Sequence, residues 1–266
     1  MRILQTKRLD HLGLVMGTLK EFNIINFIDE RLSNPQKHNI TTGEAVAAMI
    51  INGLGFVSKP LSLTPQFFES KSLDILFGRD IEAEQLNRHR LGRALDEIYE
   101  YGCELLFSQI ASHLCQQIKL DYSFTSLDTT SFSLSDNYEV DSDEYEIKVT
   151  HGYSKDHRPD LKQVMLELVT SQDGGIPLMM RCLDGNASDS KVFQKRCREL
   201  LDAFKQSEGP RYLIGDSKLY HSTNQECLAG IKFITRIPKT YQEEKKAIEA
   251  SITSNQWVRL NEQNKY

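Results

Sequence analysis

The chain has 266 residues, a formal net charge of −5, 39% hydrophobic and 26% charged residues, and a pI near 5.8. That length accommodates two domains with buried cores. The balance excludes a protein that is basic all over, though a local Lys/Arg patch remains compatible with phosphate contact. No run approaches the roughly 18 apolar residues of a membrane helix, and MRILQTKRLDHLG lacks the pattern of a secretory signal. The five cysteines (Cys103, Cys115, Cys182, Cys197, Cys227) form no CxxC pair and no zinc-finger spacing with His. They read as free thiols in a reducing cytoplasm.

Helical patterns fill the first part of the chain. Thr41 and Glu44 form a T-x-x-E capping box ahead of AVAAMIINGLGF, whose apolar residues suit a buried helix. Thr64 and Pro65 read as N-cap and N1 of a helix over QFFESKSLDILF. Leu91, Leu95, Ile98, Leu105, Leu106, Ile110, Leu114 and Ile118 recur at spacings of mostly three and four, predicting one helix from Leu91 to Ile118. Residues 1–118 therefore read as an all-helical domain.

Beyond residue 120 strands and helices alternate. Tyr122–Leu127 reads as a strand ending on Asp128, Tyr145–Thr150 as a second strand and Gln163–Thr170 as a third. A DGG turn at 173–175 follows, and Ile176–Arg181 prolongs that hairpin. Ser131–Glu146, polar and acidic, reads as a long hairpin loop or a flap. Helices are expected at Ser190–Lys205, Thr223–Ala229 and Tyr241–Ile252, and strands at Arg211–Gly215, ending on Asp216, and Ile231–Ile237. The sum is an α+β chain, in which the helical domain precedes a mixed α/β layer over 119–266.

Asp128 and Asp216 share a setting: an apolar strand, an aspartate, then small polar residues (LDTTSFS and IGDSKLY). Two carboxylates at neighbouring strand ends suit hard divalent cations, and a pair of such ions about 4 Å apart can drive phosphodiester chemistry. On spacing alone, a turn cap is the commoner use of such an aspartate.

Four runs bear on that choice: HGYSKDHRPDLKQVMLELV (151–169), CLDGNASDSKVF (182–193), YLIGDSKLY (212–220) and KFITRIP (232–238). In order and spacing they resemble bacterial insertion-sequence DDE transposases with an RNase H-like core interrupted by a β-rich insertion. LDHLGLV (9–15) and LNRHRLGRALDEIYEYG (86–102) resemble the helical domain preceding that core; its helices are a candidate DNA-reading pair for the transposon ends, though none has an obvious basic face. The resemblance implies that Asp128 and Asp216 are the first and second catalytic acids, holding Mg²⁺ or Mn²⁺ in a two-ion site for DNA cleavage and strand transfer. It further implies DNA partners (transposon ends and target), a homo-oligomer when full length, no membrane, and a bacterial, nucleoid-associated cytoplasmic location.

The third acid of that group lies in a Tyr-x2-Arg-x3-Glu-x6-Lys pattern. Here Tyr241 is followed by Glu244 and Ile248 where Arg and Glu are required. Glu243, Glu244 and Glu249 then read as a solvated helix face, and the chain as the N-terminal piece of a longer enzyme, an incomplete and inactive copy. A non-catalytic DNA-binding remnant is the alternative, and another nuclease on the same core, such as a resolvase, a third reading. Lys155, His157, Arg158 and Lys162 are candidate DNA contacts; equally, Asp156, Arg158 and Asp160 suit a charge network fixing the turn. Lys191, Lys195, Arg196 and Arg198 read as a solvated helix face, and His151 with His157 lacks partners for zinc.

Overall fold

Local capping chemistry sets the start of the third helix. The computed structural model describes residues 7–32, 39–121, 123–136, 147–153, 157–187, 212–215, 232–239 and 241–257. Helices α1 (Leu12–Glu21) and α2 (Ile24–Leu32) lead to α3 (Thr42–Gly53), which opens on the expected capping box. The Glu44 N–H donates to the Thr41 hydroxyl at 3.1 Å, and the Glu44 carboxylate accepts the Thr41 N–H at 2.9 Å. The same carboxylate accepts a two-pronged Arg79 fork, 2.7 Å on each side. Burial pushes the Glu44 carboxyl up, but the hydrogen bonds from Arg79 and Thr41 outweigh it and hold the group below its ordinary range.

The second expected helix is two. A 3₁₀ turn at Leu61–Leu63 runs into α4 (Thr64–Phe68), and α5 (Leu73–Phe77) is separate. Thr64 is the first helical residue, Leu63 is the N-cap, and no side chain caps the helix. At about 100° per residue an unbroken helix would turn Phe67, Phe68, Leu73 and Leu76 around more than half its circumference. Breaking it lets all four enter one core, where each is buried.

The third expected helix also divides, into α6 (Arg88–Tyr101) and α7 (Cys103–Ile118). Gly102 between them adopts φ 104°, a conformation glycine alone takes readily. The true start of α6 is Asn87, whose side chain accepts the His89 and Arg90 N–H groups at 3.1 Å each. Leu12, Met16, Ile40, Ile51, Phe68, Leu76, Leu86 and Leu91 form the centre of this helical core. Arg90 is buried inside it. Its Nε donates to the Ile40 carbonyl at 2.8 Å and its Nη2 to the Thr42 hydroxyl at 2.9 Å. Glu97 lies 3.6 Å from the same nitrogen and accepts the Thr42 hydroxyl proton.

The chain divides into two compact units, Met1–Lys119 and Leu120–Tyr266. The second contains β1 (Phe124–Leu134), β2 (Lys162–Ser171), β3 (Pro177–Leu183), β4 (Tyr212–Gly215), β5 (Lys232–Thr235) and α8 (Gln242–Ser254). Strand order is β3-β2-β1-β4-β5. β1–β2 and β2–β3 are antiparallel, whereas β1–β4 and β4–β5 are parallel. This mixed order is that of an RNase H-like domain. Gly174 and Gly175, at φ 69° and 62°, close the DGG turn between β2 and β3.

Two expectations need correction. β1 does not end before Asp128 but continues to Leu134, so Ser131–Leu134 is strand rather than loop. Its antiparallel partner persists to Leu134↔Lys162, supplying the ladder that the polar local sequence conceals. Residues 147–149 are not strand, and Thr150 makes only an isolated bridge with Gln163. The helices expected at 190–205 and 223–229 lie outside the described residues. Among the described residues no helix is long and apolar enough to cross a membrane.

Candidate functional site

Strand alternation decides where Asp128 points. Thr125, Leu127 and Ser131 are buried on one face of β1, and Asp128, one residue out of phase, is exposed on the other. The parallel β1–β4 ladder runs from Phe124↔Tyr212 to Leu127↔Gly215. Asp128 is thus the first β1 residue past that ladder, yet it is still held on its other side by the Asp128↔Leu168 pairing with β2. A second local bond orients it: Oδ1 accepts the Thr129 N–H at 2.8 Å. Asp216, next after Gly215 in the chain, lies outside the described residues.

Carboxylate oxygens are the donors that hard divalent cations prefer, and an exposed Asp128 on a strand braced by β2 fits that use. Among the described residues no group of three His, Cys, Asp or Glu side chains could hold a metal ion. Glu167, nearest in register, pairs with Thr129 and is 3% exposed. Alternation therefore turns it to the face opposite Asp128. Helix α8 buries no residue, and Glu243 and Glu249 on it are exposed.

The candidate DNA contacts divide. Lys155 lies outside the described residues. His157 is exposed with φ 57°, and Lys162 opens β2 opposite Leu134. Arg158 forms a planar fork on Asp160, Nε–Oδ1 2.8 Å and Nη2–Oδ2 2.7 Å. The hydrogen bond to Asp160 raises the Arg158 guanidinium pKa, and that from Arg158 lowers the Asp160 carboxyl. The fork spans the turn ahead of β2, so a local charge pair is present there. Lys191, Lys195, Arg196 and Arg198 also lie outside the described residues. Cys103, Cys115 and Cys182 are free thiols.

Sequence reasoning missed one constellation. Gln163 is 1% exposed, and its side-chain amide donates to the Gly185 carbonyl at 2.7 Å. The Lys148 N–H donates to Asp184 Oδ1 at 2.8 Å, and the Gly185 N–H to the Lys148 carbonyl at 2.9 Å. A Cβ on Gly152 would collide with the Gly185 carbonyl, and one on Gly185 with the Gln163 carbonyl. Lys148 and Gln163 thus tie the segment around His151 to the run beginning at Cys182 by backbone and side-chain hydrogen bonds, and the close approach requires glycine at both crossings. Leu168 lies five positions beyond Gln163 on β2, roughly 17 Å along the strand. The role of these ties is architectural, and the only sequence signal was one glycine in each run.

Comparison with known proteins bears on the class. Residues 119–266 match the family model described as the transposase DDE domain. The chain belongs to that DDE transposase family. Residues 4–112 match a second model, a domain of unknown function designated DUF4277. No curated protein matches the chain. Solved structures with some likeness include a Mos1 transposase paired-end complex with the left transposon end, at 10% identity and TM-score 0.29, covering 88% of this chain and 83% of that one. A Mos1 mariner paired-end complex with Mn aligns at 11% identity and TM-score 0.29, covering 94% and 91% respectively. The Mos1 strand transfer complex aligns at 12% identity and TM-score 0.28, covering 91% and 82%. At such scores these likenesses add nothing to the family assignment.

Proposed function

We propose that the protein is an insertion-sequence DNA transposase whose Asp128 and Asp216 hold divalent metal, Mg²⁺ or Mn²⁺, against the scissile phosphodiester. The observation carrying this reading is the parallel register that stops at Leu127↔Gly215. Each strand's next residue is an aspartate, and consecutive Cα atoms are only about 3.8 Å apart. Family membership of residues 119–266 supplies the reaction class. A bound metal pair would activate water or a 3′-hydroxyl and offset charge on the leaving oxygen. The chain's part is positional: β2 and the Thr129 N–H fix the Asp128 carboxylate. Lys155, His157 and Lys162 contact DNA phosphates, and Arg158 fixes the turn that presents them. DNA ends and target are the substrates, bound by an oligomer in the bacterial cytoplasm, with the helical unit engaging the ends.

In this reading α8 does not carry the third acid, because its sequence departs from the required pattern at Glu244 and Ile248. Incubated with Mg²⁺ and DNA bearing the element's ends, the chain is expected to show no end cleavage. Cleavage that disappears in Asp128→Ala would overturn this and place the third acid within the chain. The same departure of α8 from the pattern favours a second reading, a non-catalytic DNA-binding form. Its mark is an end-specific gel shift that survives Asp128→Ala.

A further inference from the structure

The loop after α3 displays what a core normally hides. Leu54 is 55% exposed, Phe56 83% and Val57 69%. Yet the loop is firmly held. Buried Asn52 clamps its far end, donating to the Lys59 carbonyl at 2.7 Å and accepting the Lys59 N–H at 2.9 Å. On the near side His11 Nε2 lies 2.7 Å from the Leu54 carbonyl oxygen, and the imidazole packs tilted on the Phe56 ring at 4.5 Å. These contacts fix Phe56 in a protruding position rather than allowing it to fold inward.

Behind the loop is a cavity of about 440 Å³, with Arg8, His11, Phe56, Lys59, Phe67 and Lys71 in its walls. Its cations are Arg8, Lys59 and Lys71; its one carboxylate, Asp10, is paired with Lys71 at 2.9 Å. Arg8 acts on Asp10 through its charge alone, without a hydrogen bond, and Lys59 is exposed at the rim. A locally positive wall in a chain of net charge −5 favours an anionic occupant. An exposed aromatic ring beside cations is the composition that binds unstacked bases with their phosphates.

We propose that this groove of the helical unit takes an unpaired nucleotide of a DNA strand, its base stacked on Phe56 and its flanking phosphates on Arg8 and Lys59. The occupant is unpaired because a base offers its flat face only when it leaves the duplex stack. The proposal rests on the reading that the chain acts on DNA, and it gives the region matched to a domain of unknown function a specific task.

Fluorescence anisotropy of the full chain with a labelled single strand of about 12 nucleotides, and with the matching blunt duplex, tests this. Phe56→Ala is expected to weaken single-strand binding about tenfold while leaving duplex binding unchanged, with Phe56→Tyr retaining affinity. Lys59→Ala is expected to flatten the dependence of log K on log salt by about 0.7. The ring is 83% exposed, so the variants fold. DNA binding at wild-type strength in both alanine variants would overturn the proposal and leave the transposase reading standing. Wild-type chain that binds neither DNA form would defeat both. Loss of self-association in Phe56→Ala by sedimentation, with DNA binding intact, would make the groove a protein interface and also overturn it.

Discussion

Asp128→Asn is expected to lower DNA strand cleavage about a thousand-fold in a protein to which a third carboxylate is supplied, by fusion or in trans. The substitution keeps the side chain's shape and an amide oxygen able to accept the Thr129 N–H, which now bonds the carboxylate at 2.8 Å. What it removes is the negative charge that a hard cation requires. Asp128 is exposed and outside the buried face formed by Leu127 and Ser131, so the fold should change by less than about 0.5 kcal/mol. The measurement is cleavage of end-labelled DNA in Mg²⁺, with a thermal melt run in parallel. Full activity with an unchanged melt would remove Asp128 from the metal-binding set.

Arg90→Ala carries the largest expected effect on stability, about 3 kcal/mol lost from the helical unit. Arg90 joins the segment ahead of α3 to α6, donating to the Ile40 carbonyl and the Thr42 hydroxyl. Truncation leaves the Ile40 carbonyl without this donor and the Glu97 carboxylate without the cation 3.6 Å away. A cavity opens beside Leu91 as well, which is fully buried. Lysine should rescue poorly, since one ammonium cannot reproduce the geometry of the guanidinium fork. Hydrogen exchange of the α3 and α6 amides reads this directly. Protection matching the wild type would show that Arg90 contributes nothing net.

Features set by neighbouring residues were legible in the sequence, and features set by distant partners were not. The Thr41–Glu44 box needs only four residues, and both its hydrogen bonds are present. The β2 strand was equally plain, because its short apolar run, VMLELV, is closed by the DGG turn just beyond it. By contrast the division of 91–118 at Gly102 was hidden, since apolar spacing continues through the break and only the glycine marks it. Ser131–Leu134 looked like loop because its serines say little about pairing. Its strand character comes from Lys162–Met165, some thirty residues on. Asp128 was legible as a candidate from its flanks, but its mid-strand position was not, for the same reason. Exposed Phe56 looked like a core residue in an apolar run, and only the Asn52 clamp shows why it stays outside.

The central claim is that Asp128 and Asp216 act as one metal site. Its most direct test is titration of the chain with Mn²⁺, followed by electron paramagnetic resonance, in wild type, Asp128→Asn and Asp216→Asn. The account predicts weak binding in the wild type and at least about a tenfold loss in either variant, each removing half of the oxygen donors. Mn²⁺ binding that neither substitution alters would contradict it.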